Sequence, residues 1–226
     1  MAEASPLASD VVHSELRSQI LDGSLEPGDP VPSERTLADE YGVNRHAVRE
    51  ALKRLQQAGL IRIAQGGATR VLDWRDSGGL GVLLDLMNAP VEPPRELLRS
   101  VLEMRVTIGV DAAGKFAARA DDEQRRQVTE LSARAAEGME AGRMEALLTL
   151  IELWKVVVDG TGNIAYRLAL NTLNSALAAY PEIVAGFTPP SADEIRGLGE
   201  AMVAGNVAEA KAIAEMTLGR DIAALV

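Results

Sequence analysis

The sequence predicts a mainly α-helical protein in two parts: a small N-terminal unit of three helices closed by a β-hairpin, then an all-α helical bundle. Three observations predict it. Apolar residues recur at helical spacing between glycine stops as far as about residue 59. Two short β-branched runs then flank a glycine-rich turn. Beyond residue 80 no alternating pattern appears, and Ala and Leu dominate, which favours helix. The expected layout is an N-terminal domain over 1–73, a linker over 74–79 and a helical domain over 80–226.

The first helix is expected over Asp10 to Leu21, capped by Ser9, with Val11, Val12, Leu16 and Ile20 on one stripe. Asp22-Gly23 stops it, and LEPGDPVPS reads as a turn with at most a very short strand. Ser33 caps a second helix that ends at Gly42, where a left-handed residue is needed. A third helix follows to about Ala58, with Val48, Leu52 and Leu55 inward. LIRI (60–63) and TRVL (69–72) are strands around AQGGA. Helix, helix, glycine-containing turn, helix, hairpin is the order of a winged helix-turn-helix.

DWRDSGG (73–79) reads as a linker or hinge. Helices are expected at about 80–89, 94–119, 121–138, 142–159, 163–179, 191–204 and 206–225, enough for a bundle.

Composition excludes several classes. The 226 residues are 47 % hydrophobic and 25 % charged, an ordinary globular balance. There is no cysteine, so disulfides and thiolate metal sites are out. No apolar run reaches a membrane span and the first residues carry no signal-peptide pattern, so a cytoplasmic protein without membrane partners is expected. The only histidines are His13 and His46. The rear domain thus offers carboxylates and lysines alone, with no spacing that suggests catalysis, and an enzyme is not expected.

The net charge is −10, yet it is unevenly spread. Between Arg35 and Arg70 seven cations face three anions, leaving +4 there and −14 elsewhere. A basic face on an acidic body turns one surface toward phosphates. On the third helix Arg45, Arg49 and Lys53 share one face and Val48, Leu52 and Leu55 the other. Such a helix suits the major groove, where Arg can bond guanine O6 and N7. Asn44 and His46 lie at its N-terminal end, and Arg35 suits a backbone or groove-edge contact. The plainer alternative is a solvated face on which Arg45 and Arg49 pair with Glu50 or Asp39.

The stretch PGDPVPSERTLADEYGVNRHAVREALKRLQQAGLIRIAQGGATRV resembles the DNA-binding domain of the GntR family. The matching residues are Pro27-Gly28, Pro32-Ser33-Glu34-Arg35, Leu37-Ala38, Gly42-Val43, Arg45, Val48-Arg49-Glu50-Ala51-Leu52, Leu55, Gly59-Leu60-Ile61 and Gly66. The resemblance implies DNA contacts at Arg35, Asn44, Arg45, His46, Arg49, Gln65 and Gly66, with the wing tip in the minor groove. The helical rear domain points to the FadR subfamily. Trp74…Ser77-Gly78 and Asp159-Gly160-Thr161-Gly162-Asn163 resemble its acyl-CoA-responsive branch. The chain departs from that branch at Gln65, where the branch has histidine, and at Asn44 and His46, where it has threonine.

Many members of the subfamily hold a metal through one Asp and three His in the helical domain. Aligned on Gly162-Asn163, those positions fall near Leu150, Trp154, Ile195 and Gly219, none a metal donor. The resemblance thus implies a metal that the residues remove, and no metal or cofactor is expected. An apolar cavity suits an acyl chain; filled core is the alternative. Arg105 matches a cavity-facing position and could meet a ligand carboxylate or phosphate, or else bridge to Glu103 or Glu152. Tyr166 and Trp154 are pocket-lining or core, and Asn163 reads as a helix cap. The expected effector site is therefore Arg105, Leu150, Trp154, Tyr166 and Ile195. The expected partners are a palindromic double-stranded operator, a small-molecule effector of acyl-CoA type and a second copy in a homodimer. A small carboxylic acid effector and an effector-independent architectural protein are the alternatives.

Overall fold

In a computed structural model, residues 8–64, 68–87, 95–181 and 186–223 are described. The chain divides into two compact units, Met1–Val91 and Glu92–Val226.

The first unit begins with α1 (Ala8–Leu21), α2 (Glu34–Tyr41) and α3 (Arg45–Gln57), then β1 (Ile61–Arg62) antiparallel to β2 (Arg70–Val71). Local signals set the helix ends. Ser33 caps α2 by accepting from the Thr36 N–H at 3.1 Å, and Gly42 ends it at φ +64°. The strands are shorter than the sequence suggests, two residues each. The segment 28–31 adds a third edge: the Gly28 N–H donates to Val71 O and the Val31 N–H to Thr69 O, both at 2.9 Å. Val12, Leu16, Leu37, Val48, Leu52, Leu55, Leu60, Ile61 and Val71 form one core beneath the exposed face of α3. Each such side chain contributes about 1.5–3 kcal/mol by leaving water.

Four expectations differ here. α1 starts at Ala8, so Ser9 lies inside it rather than capping it. Val11 is exposed and His13 is buried in its stead. Residues 74–77 form a short helix, α4 (Trp74–Ser77), capped by Asp73 rather than left as hinge. The Ser77 hydroxyl donates to Gly59 O at 2.8 Å. A Cβ on Gly59 would lie 2.2 Å from Ser77 O, so α4 seats against this position only because it is glycine. α5 (Leu80–Met87) also packs in the first unit. Val82 joins its core, and Arg17 pairs with Asp85 at 2.8 Å. The sequence assigns this helix to the rear domain; buried Val82 and the Arg17 pair explain its place with α1.

The second unit contains α6 (Arg95–Arg119), α7 (Asp122–Glu140), α8 (Glu145–Gly160), α9 (Ile164–Ala178), α10 (Ala192–Val203) and α11 (Val207–Ala223). Asp121 with Gln124, and Ser191 with Glu194, make capping boxes at α7 and α10. α6 is central. Its Ala112, Ala113, Phe116 and Ala117 meet Leu153, Val157 and Val158 of α8, Met202 of α10, and Ala210 and Ala214 of α11. Small residues set the spacing: a Cβ on Gly160 would come within 2.4 Å of the Phe116 ring. Arg125 closes two helix ends, donating to Ala117 O and Ala120 O of the first and to Met202 O and Val203 O of α10.

Candidate nucleic-acid interface and effector region

Asn44 caps α3: its Oδ1 accepts from the Ala47 N–H at 2.9 Å. The cap fixes the start of the helix and presents Arg45 and His46 in its exposed first turn. Ala47, Val48, Ala51, Leu52 and Leu55 are buried behind them. Arg49 stands outward on the same face as Arg45, its side chain 59 % exposed. Its Nε donates to Glu34 Oε2 of α2 at 2.8 Å. Arg49 therefore does pair, with Glu34 rather than with Glu50 or Asp39. Glu50 is taken by Lys53 at 2.9 Å. Arg35, the second residue of α2, is exposed. Gln65 and Gly66 lie outside the described residues.

Two basic residues of the charged window have structural roles that the sequence does not disclose. Arg54 bonds Asp10 at 2.6 Å and ties α3 to α1. Arg70 donates to Gly28 O at 2.8 Å and steadies the hairpin. Arg62 lies opposite Arg70 in register, and both are exposed on one wing surface. Behind the interface, burial and the Arg54 and Arg17 charges lower the pKa of His13 below 6.5, against the opposing pull of Asp85 and Asp10.

In the second unit, Leu150 and Trp154 of α8 are half-buried against the main core. Ile195 is fully buried against Ala135 and Ala136 of α7, and Leu150 reaches that cluster too. A Cβ on Gly109 would touch the Trp154 ring at 3.7 Å, which brings the indole alongside α6. Leu150, Trp154 and Ile195 thus sit where α6, α7, α8 and α10 converge. Nothing lies within 4 Å of a Cβ placed on Gly219. Among the described residues, no three His, Cys, Asp or Glu side chains group as metal ligands.

Tyr166 packs on the same core but turns its hydroxyl to Asp111 Oδ2 at 2.7 Å. That hydrogen bond raises the phenol pKa. The Lys115 ammonium, then Tyr166, holds the Asp111 carboxyl below its ordinary value. Asn163 caps α9, accepting from the Ala165 and Tyr166 N–H groups. Arg105 is half-buried on α6. Glu152, one partner considered for it, pairs with Arg134 at 2.7 Å.

Residues 8–71 match the model of the bacterial regulatory proteins of the gntR family, and residues 100–220 match the FCD domain. The regulator Mce2R of Mycobacterium tuberculosis is 34 % identical over 210 residues, covering 90 % of this chain and 85 % of its own. A fatty acid metabolism regulator protein of Vibrio cholerae is 34 % identical over 89 residues, 39 % of this chain and 32 % of its own. Among solved structures, Streptococcus agalactiae GntR superposes with a TM-score of 0.51 at 20 % identity, covering 96 % of this chain and 99 % of its own. The fold is that of this structure. No described helix is long and apolar enough to cross a membrane. The chain belongs to the gntR family of bacterial transcriptional regulators, with an effector-binding FCD domain behind its winged helix-turn-helix.

Proposed function

We propose that the protein binds a palindromic duplex operator as a two-fold homodimer, reading bases with Arg45 and Arg49 of α3. The observation that carries this is the arrangement of α3: an apolar back buried in the first core, a cap at Asn44, and two arginines on the exposed face. Arg35, Asn44 and His46 would contact phosphates or groove edges, with Gln65 and Gly66 at the wing tip. Symmetric half-sites follow because one winged module spans few bases. Affinity for a duplex selected from a random library, measured with one and with two half-sites, tests it. Tight binding to an isolated half-site with no gain from the second would overturn it.

The effector we propose is a long-chain fatty acyl-CoA or related lipid that releases the protein from DNA in the cytoplasm. The apolar character of Leu150, Trp154 and Ile195, at positions where the subfamily resemblance implies metal ligands, supports it. So does the local similarity to fatty acid metabolism regulators. Arg105 would meet the polar end. The effector acts by differing in affinity between DNA-competent and incompetent arrangements. Titrating the operator complex with acyl-CoAs of increasing length tests it. Release by a small carboxylic acid, with no acyl chain effective, would replace the lipid reading.

A further inference from the structure

We propose that the outward face of α8 and α9 is the two-fold interface of the homodimer, with the α8 helices of two copies antiparallel. The inference rests on the operator reading in one respect: that reading requires a second copy, and this face supplies its docking site.

Eleven large hydrophobic residues stand exposed among the described ones, and six fall between 144 and 168. On α8, or just before it, they are Met144 (76 % exposed), Leu147, Leu148 (63 %) and Ile151; on α9 they are Ile164 (71 %) and Leu168. Residues 144, 148 and 151 follow one another at helical spacing, so they form a stripe opposite the buried Ala146, Leu153 and Val157. Arg167 joins the two helices: its guanidinium donates to Asp159 Oδ1 and to the Lys155 carbonyl, holding the α9 turn that carries Ile164 and Leu168 against the C-terminal end of α8, so the exposed apolar residues of α9 continue the outward face of α8 beyond Lys155.

Taken at their exposures, the six side chains amount to roughly 600 Å² of apolar surface, the upper end for the largest patch on a monomer. That is close to the ~800 Å² per partner of a standard interface. The charges at its edges suit a second copy of the same surface. A two-fold axis near Leu150 brings Leu148 of each helix toward Ile151 and Glu152 of the other. It also brings Glu145 toward Lys155, once on each side of the axis. Apolar centre and opposite-signed ends thus match themselves when the helix is reversed.

The test is the association state of the full chain without DNA, by sedimentation over a concentration series. Wild type is expected to be a dimer at micromolar concentration. Leu148→Glu and Ile164→Glu should each weaken dimerisation about a hundredfold while the helical circular dichroism is kept. Glu145→Lys and Lys155→Glu should each weaken it about tenfold, and the double variant should restore it. A Leu148→Glu chain with wild-type dimerisation, or a double variant no better than the singles, overturns the interface. So does a monomeric wild type, which would give the face to a partner of another kind. Arg49→Ala separates this from the DNA reading, since it should lose the operator and keep the dimer. A dimer that Leu148→Glu dissociates but that binds no duplex would sink the operator reading and leave the interface standing.

Discussion

Arg49 of α3 is held by Glu34 of α2, Nε to Oε2 at 2.8 Å, across the two helices of the helix-turn-helix. A guanidinium fastened through Nε keeps its terminal nitrogens pointed the other way, the edge used for bidentate recognition of guanine. On the proposed operator reading, the pair orders a long side chain before DNA arrives, lowering the entropy lost on binding.

Arg49→Ala is therefore expected to weaken binding to a selected operator by about 1–3 kcal/mol per half-site. Glu34→Ala should weaken it less and broaden base preference at the contacted position, because the arginine remains but is unoriented. Since the pair is exposed, neither change should move the unfolding free energy by more than about 1 kcal/mol. Anisotropy titrations against single-base operator variants, beside urea unfolding, separate the two effects. Equal loss on every duplex sequence would demote Arg49 to a phosphate contact.

Gly59 is expected to be the least replaceable of the described glycines of the first unit. Alanine there would combine φ +75° with a Cβ 2.2 Å from Ser77 O and 2.8 Å from Ser77 C, both backbone atoms that cannot swing aside. Gly42→Ala meets only the left-handed penalty, at φ +64° with nothing within 4 Å. We expect about 1–2 kcal/mol for Gly42→Ala and clearly more for Gly59→Ala. Urea unfolding of both decides, and equal losses would mean that α4 does not seat on Gly59.

What the sequence discloses and what it hides divide by range. The ends of α2 were legible because Ser33 and Gly42 act on residues within a turn of themselves; the cap that Asn44 gives α3 was not, because in the sequence Asn44 reads as a DNA contact. On the α1 stripe Val12, Leu16 and Ile20 are buried as the periodicity predicts, and only Val11 is not. Periodicity alone favours Val11, whereas His13 is buried among groups from α3 and α5, namely Arg54 and Asp85. The segment 73–79 looks like a hinge because its helix depends on Gly59, eighteen residues upstream of Ser77. Glu34 is fifteen residues from Arg49, and no local pattern ties them. In the rear domain the helices were legible from Ala and Leu content, and α9 also from its cap Asn163. The bond from Tyr166 to Asp111, between α9 and α6, was not.

His13 makes stability depend on pH. Its folded pKa is lowered by burial and by Arg54 and Arg17, below an ordinary value of 6.5. Between the folded value and 6.5 the unfolded chain binds the proton more readily, so unfolding free energy rises with pH. The contribution is complete above 6.5 and is lost as pH falls toward the folded value. His13→Gln should flatten that part of the profile. Urea midpoints at pH 5.5 and pH 7.5 for both proteins check it; a parallel fall in the variant would assign the slope to other groups.

Trp154 offers a direct reading of the proposed lipid site. The chain has two tryptophans, Trp74 and Trp154, so Trp74→Phe leaves one reporter. Trp154 is half-buried between α8 and α6, with Gly109 beside its ring. An acyl chain entering between α6, α8 and α10 must displace or cover that indole. Its emission should then change with acyl-CoA concentration, saturably, and more strongly as the chain lengthens, since each buried methylene adds about 0.8 kcal/mol. Arg105→Ala should weaken binding by a similar factor at every chain length, because it would remove only the contact to the polar end. An emission that ignores acyl-CoA, in a protein that still releases DNA on adding it, would place the lipid elsewhere. If affinity does not depend on chain length while Arg105→Ala abolishes it, the ligand is a small acid held by its charge.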